Sequence, residues 1–179
     1  MPHRIYSDLA AAGARMPIGT DLVLHEQPDP ESIRLDGRRL GEVVEQSARR
    51  WRTPLAVPLM DLRLEKTDLL TRLGVSESEI DLYHFAEAPG DDVMELEAAM
   101  AEAPFAEGNQ AQHDAVRYIA ERTDLFPVGM AIGPFSLMTK LLSDPIVAVA
   151  MAGLGLSAEE DESVKLAERA LVLAERTVR

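Results

Sequence analysis

Two residues of this chain could do acid–base chemistry at the ends of apolar runs. Asp61 directly follows the apolar run 53–60, and it could bind a substrate cation or orient a base. His84 lies between Tyr83 and Phe85, and it could be a general acid or base because histidine titrates near neutral pH. Asp61 could instead cap the following helix, and His84 could be a half-buried structural residue. We therefore name Asp61 and His84 as candidate catalytic residues, with these alternatives open.

A second candidate site is a turn between an apolar run and a helix. The turn consists of Gly133, Pro134, Phe135 and Ser136. Backbone amides at the start of the helix could receive an anionic group, and Phe135 could offer an apolar face to a planar ring. Ser136 could instead be the N-cap of that helix. The pattern predicts a small-molecule site at this turn.

Asp61, Arg63 and His84 are expected to line the same pocket as this turn. Polar residues at the carboxyl ends of parallel strands face one site in barrels built of strands and helices. Asp61 and Arg63 follow the predicted strand 53–60, and His84 lies at the end of the predicted strand 80–85, whereas the turn follows the predicted strand 128–132. The sequence therefore predicts that Asp61 and His84 converge on the turn.

Metal chemistry has little support in the sequence. His25 and Glu26 are adjacent and could ligate a metal, but they could also be an ordinary loop pair. The chain has no cysteine, which excludes disulfides, thiolate metal sites and cysteine nucleophiles. We predict that this chain binds no metal or cofactor alone.

The elements that would position these residues alternate between strands and helices. Four short apolar runs are typical of strands, namely 22–24, 53–60, 80–85 and 128–132. Helical spacing of apolar residues separates them and is clearest over 39–52, 109–123 and 162–179. This alternation predicts an α/β fold with parallel pairing. We predict a partial (β/α)8 (TIM) barrel with about four strands and surrounding helices, forming a single domain over residues 1–179.

Composition narrows the classes of partner. The chain of 179 residues has a net charge of −13, with 31 acidic and 18 basic residues. Such a surface repels phosphate backbones and anionic lipids, so nucleic acid and membranes are excluded as expected partners. The longest apolar run, 146–156, is shorter than the ~20 residues that span a bilayer. The N-terminus lacks the apolar core of a signal peptide, so we expect a cytoplasmic location.

The sequence Gly-Pro-Phe-Ser-Leu at 133–137 resembles a turn of the uroporphyrinogen decarboxylase superfamily. That superfamily includes porphyrinogen decarboxylases and zinc-dependent methyltransferases that use corrinoid proteins. Segments 58–65 and 81–85 are similar to those of uncharacterised members. The resemblance implies a (β/α)8 barrel of which this chain would be the N-terminal half, because a full barrel takes ~250 residues.

Two departures from the family limit the activity that the resemblance implies. The decarboxylases carry an Arg-Gln-Ala-Gly-Arg stretch for substrate carboxylates, and here residues 15–21 read Arg-Met-Pro-Ile-Gly-Thr-Asp. The methyltransferases hold zinc on a His-x-Cys pair and a further cysteine, none of which this chain has. The resemblance therefore implies a uroporphyrinogen-decarboxylase-like protein that is related to corrinoid-dependent methyltransferases and incomplete as an enzyme alone.

Partners and alternatives follow from the same resemblance. Zinc and a corrinoid would belong to a complete barrel, and a corrinoid protein would be a partner. A half-barrel leaves strand edges open, so we expect a homo-oligomer or a second half-barrel chain. One alternative is a non-catalytic small-molecule-binding or regulatory protein derived from that scaffold. The other is a porphyrinogen carboxy-lyase.

Overall fold

The computed structural model describes residues 3–14, 19–99 and 103–178. Its helices are α1 (His3–Ala11), α2 (Thr20–His25), α3 (Pro30–Arg34), α4 (Gly37–Arg50), α5 (Leu64–Arg72), α6 (Glu77–Ile80), α7 (Asp91–Ala99), α8 (Glu107–Arg122), α9 (Pro134–Leu141), α10 (Pro145–Gly153) and α11 (Glu162–Thr177). Its strands are β1 (Leu55–Ala56) and β2 (Phe126–Pro127). The chain divides into two compact units, unit 1 with residues 1–61 and 107–130 and unit 2 with residues 62–106 and 131–179.

The predicted partial (β/α)8 barrel with about four strands is wrong. The described residues are mostly helical, and their one sheet is the parallel pair β1–β2. Prolines 54 and 58 flank β1, and Pro127 ends β2. Proline has no N–H to donate to a ladder, so neither strand extends into the length that a barrel wall needs.

Of the four predicted strands, only the run 53–60 contains one: residues 128–132 follow β2 without forming a strand, and the runs 22–24 and 80–85 contain none. Residues 22–24 belong to α2, whose buried residues Thr20, Val23 and Leu24 have helical spacing. In the run 80–85, α6 ends at Ile80, and only Phe85 forms a bridge, to Leu142. A short apolar run is compatible with a buried helical turn as well as with a buried strand, because all of its side chains can be buried in either structure.

Unit 1 is built on the packing of α4 against α8. Asp36 caps α4 by accepting hydrogen bonds from the N–H groups of residues 38 and 39, both at 3.0 Å. The buried stripe of α4 includes Leu40, Val43 and Val44, and it meets Ala115 and Ile119 of α8 in two apolar clusters. The helix predicted over 39–52 is therefore present as α4, and burial of one face holds it.

The small sheet of unit 1 pairs Leu55 with Phe126 and Ala56 with Pro127. The N–H of Val128 donates to the carbonyl of Ala56 at 3.0 Å, and the ladder ends there. The buried hydroxyl of Thr20 donates to the carbonyl of residue 57 at 2.6 Å. This bond ties α2 to the segment that follows β1.

Unit 2 has its own apolar core. The largest buried cluster joins α5, α9 and α11 through residues such as Leu69, Leu70, Leu137, Leu141 and Leu173. Asp161 caps α11 by accepting from the N–H groups of residues 163 and 164, at 2.9 and 3.1 Å. Glu160 accepts hydrogen bonds from the N–H and the hydroxyl of Ser157, at 3.0 and 2.9 Å, and these bonds close the turn before α11.

Hydrogen bonds and one buried carboxylate tie α7 to α11 within unit 2. Arg176 donates to the carbonyl of Met94 at 3.0 Å, and its Nη1 lies 3.7 Å from Oε2 of Glu97. Glu97 is 1% exposed, and neither of its oxygens has a hydrogen-bond partner among the described residues. Arg169 donates to the carbonyl of Pro89 at 2.8 Å.

Within the described ranges, no helix is both long enough and apolar enough to cross a membrane.

Candidate functional site

The predicted turn at 133–136 is the start of α9. Gly133 is the N-cap residue, with φ −73° and ψ 151°, and Pro134 is the first helical residue. The first intrahelical bond runs from the N–H of Leu137 to the carbonyl of Gly133 at 2.9 Å. The N–H groups of Phe135 and Ser136 come before that bond, and glycine has no side chain to cap them. They are the donors that an acidic group could use.

The residues of this turn lie at the surface of unit 2. Phe135 is 57% exposed, which is unusual for a large aromatic side chain, and Ser136 is exposed beside it. A Cβ added at Gly133 would meet nothing within 4 Å, so the space in front of the turn is open. Ser136 is the third residue of α9 rather than its N-cap, which leaves its hydroxyl free of a capping role. The turn therefore presents an apolar ring face next to uncapped amides.

Glu65 of α5 holds the segment that leads into the turn. Its Oε1 accepts a hydrogen bond from the N–H of Ile132 at 2.9 Å, one residue before Gly133. Its Oε2 is buried and has no hydrogen-bond partner among the described residues. A charged acceptor forms a strong bond to a backbone N–H, so Glu65 fixes where α9 begins.

Lys66 lies next to Glu65 on α5 and is buried. Its ammonium donates to the carbonyl of Asp81 at 3.2 Å. Burial lowers the pKa of Lys66, Asp81 raises it, and the positive charge of Lys140 on α9 lowers it further. The pKa of Lys66 is therefore below that of an ordinary lysine, because its charged form has lost water without gaining a full ion pair.

His84 lies near the other end of α9 from the turn. The N–H of its neighbour Phe85 donates to the carbonyl of Leu141, the last residue of α9, at 2.9 Å. A helix rises 1.5 Å per residue, so the turn and this contact are separated by ~10 Å along α9. His84 is exposed rather than half-buried. One small molecule could still span that distance, and the joint site stays a prediction.

Asp61 and Arg63 stand on either side of the division between the units. Asp61 is half-buried and ends the first segment of unit 1, whereas Arg63 is exposed in unit 2 at the N-cap position of α5. Their convergence with the turn also stays a prediction.

The proposed metal pair has other contacts. Nδ1 of His25 donates to the carbonyl of Asp21 at 2.7 Å, and the carboxylate of Glu26 accepts from Arg50 at 2.7 and 2.9 Å. Over residues 3–14, 19–99 and 103–178, no group of three or more His, Asp or Glu side chains is placed to hold a metal. His25 and Glu26 therefore each bond to a different residue of unit 1.

The sequence analysis singled out neither Glu65 nor Lys66. The spacing of Lys66 with Leu69, Leu70 and Leu73 is i, i+3, i+4, i+7, and this pattern could have shown that the lysine lies on the buried face of α5. No comparable signal marks Glu65, because an acid in the first turn of a helix is usual.

Comparisons of the chain with models of protein families, with curated proteins and with solved structures found no match.

Proposed function

We propose that this chain is a uroporphyrinogen-decarboxylase-like protein that binds a ring-containing acidic molecule of the tetrapyrrole class at the start of α9. The observation that carries the proposal is the 57% exposure of Phe135 beside the uncapped amides of α9. A planar ring would stack on Phe135, and a ligand carboxylate would accept from the N–H groups of Phe135 and Ser136. The proposal depends on this turn and on the sequence resemblance at 133–137, and it does not require a barrel.

The proposed role is binding rather than complete catalysis. The chain has no cysteine for the zinc of the methyltransferase branch and no counterpart of the arginine stretch of the decarboxylases. In this proposal, Glu65 positions the turn by holding the N–H of Ile132. The cytoplasmic location and the corrinoid-protein partner expected from the sequence remain parts of the proposal.

A titration with two ring-containing probes tests it. Uroporphyrin presents carboxylates on a planar ring, and hydroxocobalamin presents a corrin ring without free carboxylates, so the pair separates ring stacking from carboxylate binding. We expect saturable binding of uroporphyrin, measured by the shift of its absorption band. Phe135→Ala should weaken that binding by about tenfold, since a stacked aromatic contact contributes ~0.5–1.5 kcal/mol beyond its buried area.

Matched variants locate the effect. Leu22→Ala removes an apolar side chain that is 63% exposed on α2, and it should leave binding unchanged. Glu65→Gln keeps an acceptor for the N–H of Ile132, whereas Glu65→Leu removes it. The Gln variant should therefore bind uroporphyrin more tightly than the Leu variant. Wild-type protein that binds neither probe would overturn the proposed function. Binding that Phe135→Ala leaves intact would reject the site.

A further inference from the structure

The most unusual surface of unit 2 is the outer face of α10. Of its nine residues only Ala148 is buried, although none of the nine is charged or polar. Ile146 is 77% exposed, Val147 42% and Val149 47%, and the following Leu154 is 77% exposed. A helix that is apolar on all sides is normally buried, so this face is expected to be covered by something.

The exposed residues form one continuous stripe along the helix. Ile146, Val149, Ala150 and Gly153 are all exposed and follow the spacing i, i+3, i+4, i+7, which places them on one face. The buried Ala148 lies on the opposite side and joins the core of unit 2. The stripe therefore points away from the core.

We propose that this stripe is the contact surface for a second copy of the same chain, which pairs α10 with α10 in antiparallel orientation. A two-fold axis between positions 149 and 150 brings Ile146 of one copy level with Gly153 of the other. The same axis brings Val149 level with Ala150. At both levels a large side chain faces a small one, which is the self-complementary surface that a two-fold interface requires.

The absence of charge on the stripe also fits a second copy, and its small area fits a weak pair. The chain carries a net charge of −13, and two copies repel each other least where neither has charged residues, as is the case from Pro145 to Ser157. Ile146 and Val149 of the stripe are 77% and 47% exposed, so pairing would remove aliphatic surface from water in both copies, over an area smaller than the ~1,000 Å² that a stable specific interface needs. The dimer is therefore expected to be weak and concentration-dependent.

Sedimentation velocity of the full chain over a range of concentrations tests this surface. We expect a reversible monomer–dimer equilibrium in the wild type. Val149→Glu places a charge at the centre of the contact and should raise the dimer dissociation constant by at least about tenfold. Leu22→Glu adds the same charge at an exposed leucine of α2 and should leave the equilibrium unchanged.

Gly153→Leu distinguishes a specific pair from general hydrophobic association. An added Cβ at Gly153 meets nothing within 4 Å in its own chain, so the variant should fold. The larger side chain would remove the space for Ile146 of the second copy and weaken the dimer, whereas it would strengthen non-specific association. Stronger association of Gly153→Leu would overturn the proposal. A wild-type chain that stays monomeric at millimolar concentration would also overturn the proposal. This holds even if the chain binds phosphatidylcholine vesicles, since the stripe would then contact lipid and not a second copy.

Discussion

Gly41 should be essential to the packing of α4 against α8 in unit 1. A Cβ built on Gly41 would lie 2.7 Å from Cγ and Cδ1 of Tyr118 and 2.8 Å from its Cβ. Real Cβ contacts are almost never shorter than 3.0 Å. Rotation about χ1 of Tyr118 could move its Cγ and Cδ1, but its Cβ is fixed to the backbone and can move away only if α8 moves. Gly41→Ala therefore has to push the two helices apart.

The size of the effect follows from two opposing terms. Overpacking of a filled interface costs ~1–3 kcal/mol, and alanine in place of glycine in a helix returns ~1 kcal/mol. The net loss in the free energy of unfolding of unit 1 should therefore be at most ~2 kcal/mol. In a Tyr118→Ala background the same substitution should cost less, because the two ring-carbon contacts are gone.

Urea unfolding followed by tryptophan fluorescence measures this loss. Trp51 is the only tryptophan and packs against a buried cluster of unit 1, so its signal reports on that unit. Gly129→Ala is the matched control, since an added Cβ there meets nothing within 4 Å and the residue belongs to the same unit. A midpoint for Gly41→Ala that lies above the wild-type midpoint would refute the packing argument, because alanine would then have gained its helix propensity without a packing cost.

Two further predictions concern unit 1. Arg49 bonds to Asp124 and lowers the pKa of that carboxyl group, so Arg49→Gln should move the Asp124 pKa back up in an NMR titration. The pair stabilises the folded chain above the ordinary aspartate pKa, and its contribution should vanish as pH falls through the lowered value. An unchanged pKa would show that the pair does not form in solution. Asp36→Ala removes the cap of α4 and should lower the free energy of unfolding by ~1 kcal/mol in the Trp51 assay. Asp36→Asn should retain most of the stability that the cap contributes, because asparagine also caps helices. Equal effects of the two substitutions would argue against capping.

The long helices are predictable from the sequence because a single face of each is buried. Apolar residues at helical spacing mark α4, α8 and α11, and the structure buries those faces. Local rules for N-caps are less decisive. Ser157 and Glu160 do bond to each other, but Asp161, one residue later, is the side chain that caps α11.

The strands are not predictable from apolar runs alone. The run 22–24 has an apolar character that also suits a strand, although Thr20 completes a helical spacing with Val23 and Leu24. Prolines limit the run 53–60 to two paired residues, since each removes a donor from the ladder. A fold class inferred from alternating elements fails when the runs are this short.

Part of the candidate site is visible in the sequence. The turn at 133–136 starts a helix as predicted, because glycine followed by proline suits the N-cap and first helical positions. The contact between Glu65 and the N–H of Ile132 joins residues 67 positions apart, and only the tertiary structure brings them together.

Amide NMR spectra of the chain during titration with uroporphyrin test the proposed function most directly. We expect the resonances of Phe135 and Ser136 to shift saturably, because their N–H groups would donate to the ligand carboxylate. In Phe135→Ala the shift of Ser136 should need a higher ligand concentration. Saturable shifts confined to other parts of the chain would contradict the proposed site, and the absence of any saturable shift would contradict the proposed function.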